Sequence, residues 1–192
     1  LAGLLHDVGK PGKFQDGPHG RMFPGHASRS AALVPPILAR LRYSRKLIKQ
    51  VTILVENHMF FWRPDHGLAP LRRLAAQVGW DNFPLEIELI KADRMSIWGD
   101  SNRANIRELE AAARQIMAEP PPLSPAELAL KSEDLMKALG LEPGPLVGKI
   151  RQYLLEAVWE DPALNAPEQL LALARKQIDY HRQDSTQLVG KK

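Results

Sequence analysis

The chain contains no cysteine. That excludes a disulfide framework, a thiolate metal site and a cysteine nucleophile, and it fits a reducing compartment. Nor does any apolar run approach the roughly 20 residues a bilayer span requires, and no secretory signal pattern opens the sequence. The expectation is therefore a soluble, cytoplasmic protein with no membrane partner. Charge of one sign is scarcely in excess, at +4 with a pI near 9.4. That value fits an ordinary basic surface or a patch for phosphate-rich partners, and charge alone does not separate the two. Strand-type alternation and internal repeats are missing as well, so the fold class expected is all-α.

What remains is a globular composition, 44% hydrophobic and 25% charged over 192 residues. It allows one large domain or two small ones. Leu1 already lies inside an apolar helical run without an N-cap, so a fragment lacking an upstream part is expected. That run, Leu1 to Val8, reads as a helix end carrying His6 and Asp7 on its last turn, with Gly9 releasing the chain. Residues 9–25 are dense in Gly and Pro and read as an irregular loop over the His-Asp pair. A helix from His26 should kink or break at Pro35-Pro36. Further helices are expected at Ser44–His58 with Ser44 as N-cap, Ala69–Val78 ending at Gly79, Pro84–Trp98 ending at Gly99, and Ala104–Ala118.

Pro120-Pro121-Pro122 and Pro125 read as a stiff connector. The organisation expected is a domain over 1–119, a linker over 120–125 and a second helical domain over 126–192. The second domain should hold helical units at about 125–140, 146–159 and 167–181, followed by a frayed polar tail.

Candidate chemistry gathers in the first part. Asp93 falls in the apolar stripe of Leu89, Ile90 and Ile97, where an uncompensated carboxylate is costly. An ion pair with Arg94 or a metal cation would resolve it. His58 extends the stripe of Val51, Leu54 and Val55, and His26 opens a helix on the face of Ser30, Leu33 and Ile37. Separate helices thus aim His and Asp at one interior point beside His6-Asp7. The expected ligands are His6, Asp7, His26, His58 and Asp93. A nitrogen and oxygen set without sulfur suits one or two ions of Mn, Fe, Ni, Co, Zn or Mg rather than Ca. Two ions bridged by Asp7 would hold a hydroxide for attack on a phosphoester, with Lys10 and Arg94 offsetting charge on the phosphoryl group. Asp7 and Lys10 are then the catalytic pair. His19, His66 and His181 read as solvated, with His19 within possible reach of substrate.

The motifs His6-Asp7-Val8-Gly9-Lys10, Gly25-His26-Ala27, Glu56-Asn57-His58 and Lys91-Ala92-Asp93-Arg94 resemble the HD superfamily of metal-dependent phosphohydrolases. The resemblance implies an HD-type helical bundle over about Leu1 to Trp98. It also implies ligand roles for His6, Asp7 and Asp93, with His26 and His58 completing a second metal position. The family's usual earlier His has no counterpart before His6, so weak metal binding is expected.

The second part carries Asp134-Leu135-Met136 and Leu141-Glu142-Pro143-Gly144-Pro145-Leu146-Val147-Gly148-Lys149-Ile150. It resembles the C-terminal region of bacterial CCA-adding tRNA nucleotidyltransferases and poly(A) polymerases. That resemblance implies a helical rear that contacts tRNA. The residues themselves read as a tight Pro-Gly-Pro turn feeding a helix with Pro145 near N1, on which Lys149 and Arg151 follow as candidate phosphate contacts, and a plain inter-helix turn is the alternative. The leading expectation is a metal-dependent phosphohydrolase acting on nucleotide or RNA phosphoesters. The alternative is the tRNA-binding portion of a nucleotidyltransferase whose catalytic head lies outside this chain.

Overall fold

A computed structural model of the chain describes residues 1–12, 14–17, 20–98 and 103–189, with side chains throughout these except at 97–98 and 179–189. The readings of His19, of the helix stop at Gly99 and of the extreme tail lie outside the described residues, as does the side chain of His181. The chain divides into two compact units, Leu1–Ala118 and Glu119–Lys192. Both are built from helices, and the only strands among the described residues form one small hairpin. The fold class is all-α.

In the first unit a short helix, α1 (Ala2–Leu5), leads into a turn that carries His6 and Asp7. The pair therefore follows the helix rather than riding its last turn. Gly9 also differs in role from expectation, because its φ is not positive. A Cβ built there would lie 2.6 Å from both the carbonyl oxygen of His26 and the amide nitrogen of Ser30. Its own N–H donates to Ser30 Oγ at 2.9 Å. Glycine is required by close approach to the next helix, not by a left-handed cap.

The Gly/Pro-rich stretch that follows is not wholly irregular. Gln15–Gly17 (β1) and Gly20–Met22 (β2) pair antiparallel, with Gln15 opposite Met22 and Asp16 opposite Arg21. These strands are too short to leave an alternating pattern in the sequence.

Helix α2 (His26–Arg40) runs unbroken through Pro35 and Pro36, contrary to expectation. An interior proline costs about 3 kcal/mol or more. Val34, Leu38 and Ala31 of α2 are buried in a cluster with Leu5 and with Val51 and Val55 of α3 (Arg45–Asn57). At about 1.5–3 kcal/mol for each fully buried aliphatic side chain, this packing outweighs the loss. Ser44 caps α3 as expected, its hydroxyl accepting from the Leu47 amide. Helix α4 (Ala69–Val78) ends at Gly79, whose φ of 81° explains the glycine.

Helix α5 (Phe83–Trp98) is the stem behind the site, with Phe83, Ile87 and Ile90 buried along one face. Glu86 lies on that same face and is fully buried. Helix α6 (Arg103–Ala118) joins α5 through Lys91, which also pairs with Glu88 at 2.8 Å and reaches Glu110 across the helix gap.

The second unit holds α7 (Ser132–Leu139), α8 (Pro145–Glu160) and α9 (Pro167–Val189). Gly140 closes α7 in the left-handed conformation, its N–H bonded to the Met136 carbonyl. Helix α9 extends past the end expected at His181. Leu135, Ile150, Leu154, Leu155, Val158 and Leu170 form the interior. The proline run is docked rather than free: Pro121 is buried, and the Pro122 carbonyl accepts from Trp159 Nε1 at 2.8 Å.

Candidate functional site

Four segments of the first unit bring their polar residues to one place. The turn after α1 brings His6 and Asp7, the start of α2 brings His26, the C-cap of α3 brings His58, and α5 brings Asp93. Asp7 is the hub. Its Oδ1 lies 3.2 Å from His26 Nε2 and 3.9 Å from His58 Nε2, and its Oδ2 lies 3.2 Å from His6 Nε2. Asp93 Oδ1 is 3.3 Å from His6 Nε2, so Asp93 has a histidine as its ion-pair partner. Ligand atoms of His6, Asp7 and His58 all fall within 4.8 Å of one another.

The histidines share one local device. Each ring Nδ1 hydrogen-bonds the main-chain carbonyl three residues earlier: His6 to Gly3 at 2.8 Å, His26 to Phe23 at 2.7 Å and His58 to Val55 at 2.7 Å. With Nδ1 donating to a carbonyl, each ring turns its Nε2 toward the centre. His26 Nε2 and His58 Nε2 then sit 3.3 Å apart, and Asp7 Oδ1 is buried without a hydrogen-bond partner among the described residues. Acceptors crowded together in this way need a proton or a cation among them. The donor set and the orphaned oxygen fit a divalent metal held by these residues.

Electrostatics point the same way. Burial works to raise the Asp7 carboxyl, but the hydrogen bond from Lys10 Nζ at 2.5 Å and the charges of His6, Lys10 and His26 outweigh it. The group ends below its ordinary value and stays ionised. Burial pushes His58 down, helped by His6 and His26 and opposed by the Val55 carbonyl and Asp7, which keeps its ring neutral. Burial also lowers Arg94, with Asp93 opposing.

Beside the cluster opens a cavity of about 870 Å³, lined by Asp7, His26, His58 and Asp93 together with aromatic and cationic side chains. Arg94 stands over the Phe61 ring at 5.4 Å and donates to the Phe60 carbonyl at 3.3 Å. Lys10 lies over Phe23 at 5.4 Å. Arg21 of the hairpin and Arg63 line the same cavity, and neither stood out in the sequence. The hairpin that presents Arg21 was the missing signal.

The two cations expected to face RNA separate. Lys149 is exposed on α8. Arg151 is buried, and its guanidinium donates to Ser132 Oγ and the Pro125 carbonyl. That inward engagement removes Arg151 from the solvent-facing pair.

Comparison with known proteins gives a consistent result. Residues 26–174 match the family described as tRNA nucleotidyltransferase domain 2. The A-adding tRNA nucleotidyltransferase of Deinococcus radiodurans is 36% identical over 166 residues, which is 81% of this chain and 36% of that protein. The CC-adding tRNA nucleotidyltransferase of Thermus thermophilus is 35% identical over 159 residues, 82% of this chain and 35% of that protein. The chain thus spans about a third of the length of the curated relatives it matches. No solved structure matches it.

These findings overturn the expectation of a metal-dependent phosphohydrolase acting on nucleotide or RNA phosphoesters. Family and relatives are nucleotidyltransferases. The convergence of His and Asp is present, but a donor set specifies what can be held and not which reaction follows. The catalytic roles given to Asp7 and Lys10 belonged to that hydrolysis and go with it.

Proposed function

The chain belongs to the tRNA nucleotidyltransferase domain 2 family, and from that membership we propose that it supplies a tRNA-holding helical body to an enzyme that adds nucleotides to tRNA. The observation that carries this reading is the extent of the family match, residues 26–174, which reaches from the first unit through α8 into α9. The named activities of the relatives, A-adding and CC-adding, make tRNA the proposed partner. In the second unit, Lys149 is the proposed phosphate contact. It follows the Gly144-Pro145 start of α8 and is exposed to solvent. Arg151 acts as a tie that fixes α8 against the segments before it.

The test is fluorescence anisotropy of a labelled tRNA transcript titrated with the full chain at several salt concentrations. The logarithm of affinity should fall linearly with the logarithm of salt, and tRNA should be preferred to a DNA duplex of equal length. Lys149→Ala should make that slope shallower by about 0.7–0.9. Absence of binding at low salt, or equal binding to DNA, would overturn the reading.

His6, Asp7, His26, His58 and Asp93 are proposed to hold one divalent ion, of Mn, Fe, Ni, Co, Zn or Mg. Support comes from the orphaned Asp7 Oδ1 and the three inward Nε2 atoms. Bound there, a cation supplies charge that neutralises Asp7 and Asp93. The residues themselves tie the first turn to α2, α3 and α5. Elemental analysis of the purified chain should find stoichiometric metal, and a chelator should lower the unfolding midpoint of the parent but not of Asp7→Asn. Metal-free protein whose midpoint ignores both added metal and chelator would end this assignment.

A further inference from the structure

The positive charge of the chain is not spread evenly. Between Asp16 and Glu56 there is no acidic residue. That stretch holds seven of the 26 Lys and Arg and none of the 22 Asp and Glu, leaving 19 cations against 22 acids elsewhere. Five of the seven, Arg40, Arg42, Arg45, Lys46 and Lys49, crowd the turn from α2 to α3, and all five are exposed. None of the five has an ion-pair partner among the described residues.

We propose that this turn is a docking surface for an RNA phosphate backbone. The proposal rests on the reading that tRNA is the partner, and it adds a contact face in the first unit.

Local structure at the turn runs against its own preferences. Tyr43 N–H bonds the Leu38 carbonyl at 3.0 Å and Arg42 N–H bonds the Ala39 carbonyl at 2.9 Å, the Schellman arrangement of a helix end. The residue at Arg42 must then be left-handed, and its φ is 60°. Glycine is the usual choice there, and this chain uses it where α7 ends, at Gly140. Among the described residues Arg42 is the only non-glycine with positive φ. Arg45 and Lys46 then open α3 at the end where the helix dipole disfavours cations, and no acid stands in that first turn.

Both choices are unfavourable for the free protein. Both concentrate positive potential at one exposed point. An RNA phosphate there would reverse the repulsion, meeting several unpaired cations together with the amide end of α3. Exposed Tyr43 lies among them and offers a hydroxyl to the sugar-phosphate chain.

The experiment compares the full chain, Arg42→Gly and the triple variant Arg40→Ala/Lys46→Ala/Lys49→Ala in salt-dependent binding to a tRNA transcript, alongside thermal unfolding. The triple variant should bind at least about tenfold more weakly near 0.1 M salt, with a slope shallower by about 2–3. Arg42→Gly should unfold about 2–4 °C higher while binding a few-fold more weakly. A role in folding alone cannot give that opposed pair of shifts. Parent-like affinity and slope in the triple variant, with the parent binding tRNA, would overturn the docking surface and leave the family reading standing. No tRNA binding by the parent would overturn both. Variants that lose adhesion to anionic lipid vesicles but keep tRNA affinity would assign the patch to membranes and refute the proposal.

Discussion

Glu86 offers the sharpest test of the packing described for α5. Its carboxyl is fully buried on the apolar face with Phe83, Ile87 and Ile90, and neither oxygen has a hydrogen-bond partner among the described residues. Burial raises its pKa from 4.5 to about 8. Below pH 4.5 the folded and unfolded chains both hold the proton, and the group adds no pH dependence. Between 4.5 and about 8 the folded chain keeps the proton that the unfolded chain has released. Fewer protons on the unfolded state mean that stability falls as pH rises through that window. At about 1.4 kcal/mol per pH unit, the loss approaches about 5 kcal/mol by pH 9. That is a large share of the roughly 5–15 kcal/mol that holds a typical domain together. Urea unfolding of the parent and of Glu86→Leu at pH 5, 7 and 9 reads it directly. The variant should gain on the parent steadily as pH rises. His58, whose depressed pKa makes stability fall with pH below about 6.5, is common to both chains and cancels. Parallel stability profiles for parent and variant over pH 5–9 would refute the burial argument.

Other expectations follow from single contacts. Gly9→Ala would drive a methyl to within 2.6 Å of two backbone atoms of α2 and should destabilise by about 3 kcal/mol, whereas Gly148→Ala, exposed in α8 with open space around its Cβ, should stabilise by about 1 kcal/mol. Denaturant midpoints of the two variants should therefore move in opposite directions. Arg151→Ala strips two acceptors of their buried donor and should cost about 2–3 kcal/mol, seen as lower resistance of the second unit to proteolysis. Arg151→Lys should recover less than half of that loss, because a single ammonium cannot reproduce the planar fork.

Much of the helical plan is written in local chemistry. Ser44 marks the start of α3 and Gly79 the end of α4 because a cap acts on its own few neighbours. What the sequence conceals depends on distant partners. Pro35 and Pro36 look like a break, and only the packing of Val34 and Leu38 against α3 makes a continuous helix affordable. Asp93 drew attention as a carboxylate on an apolar stripe, and the same spacing applies to Glu86, three residues from Phe83 and four from Ile90. Of the two, Glu86 is the fully buried one. The histidines could be chosen from their helix faces, but the role of Gly9 could not, since it depends on how near α2 passes. The step from ligand types to hydrolysis failed for a different reason. Nitrogen and oxygen donors in an interior cluster are shared by proteins with quite different tasks.

The carbonyl anchors of His6, His26 and His58 have a consequence for how the cluster forms. Each ring is moored within its own tetrapeptide, so the direction in which its Nε2 points is held by neighbours in sequence and not by the other segments. Altering one segment therefore leaves the moorings of the other two untouched.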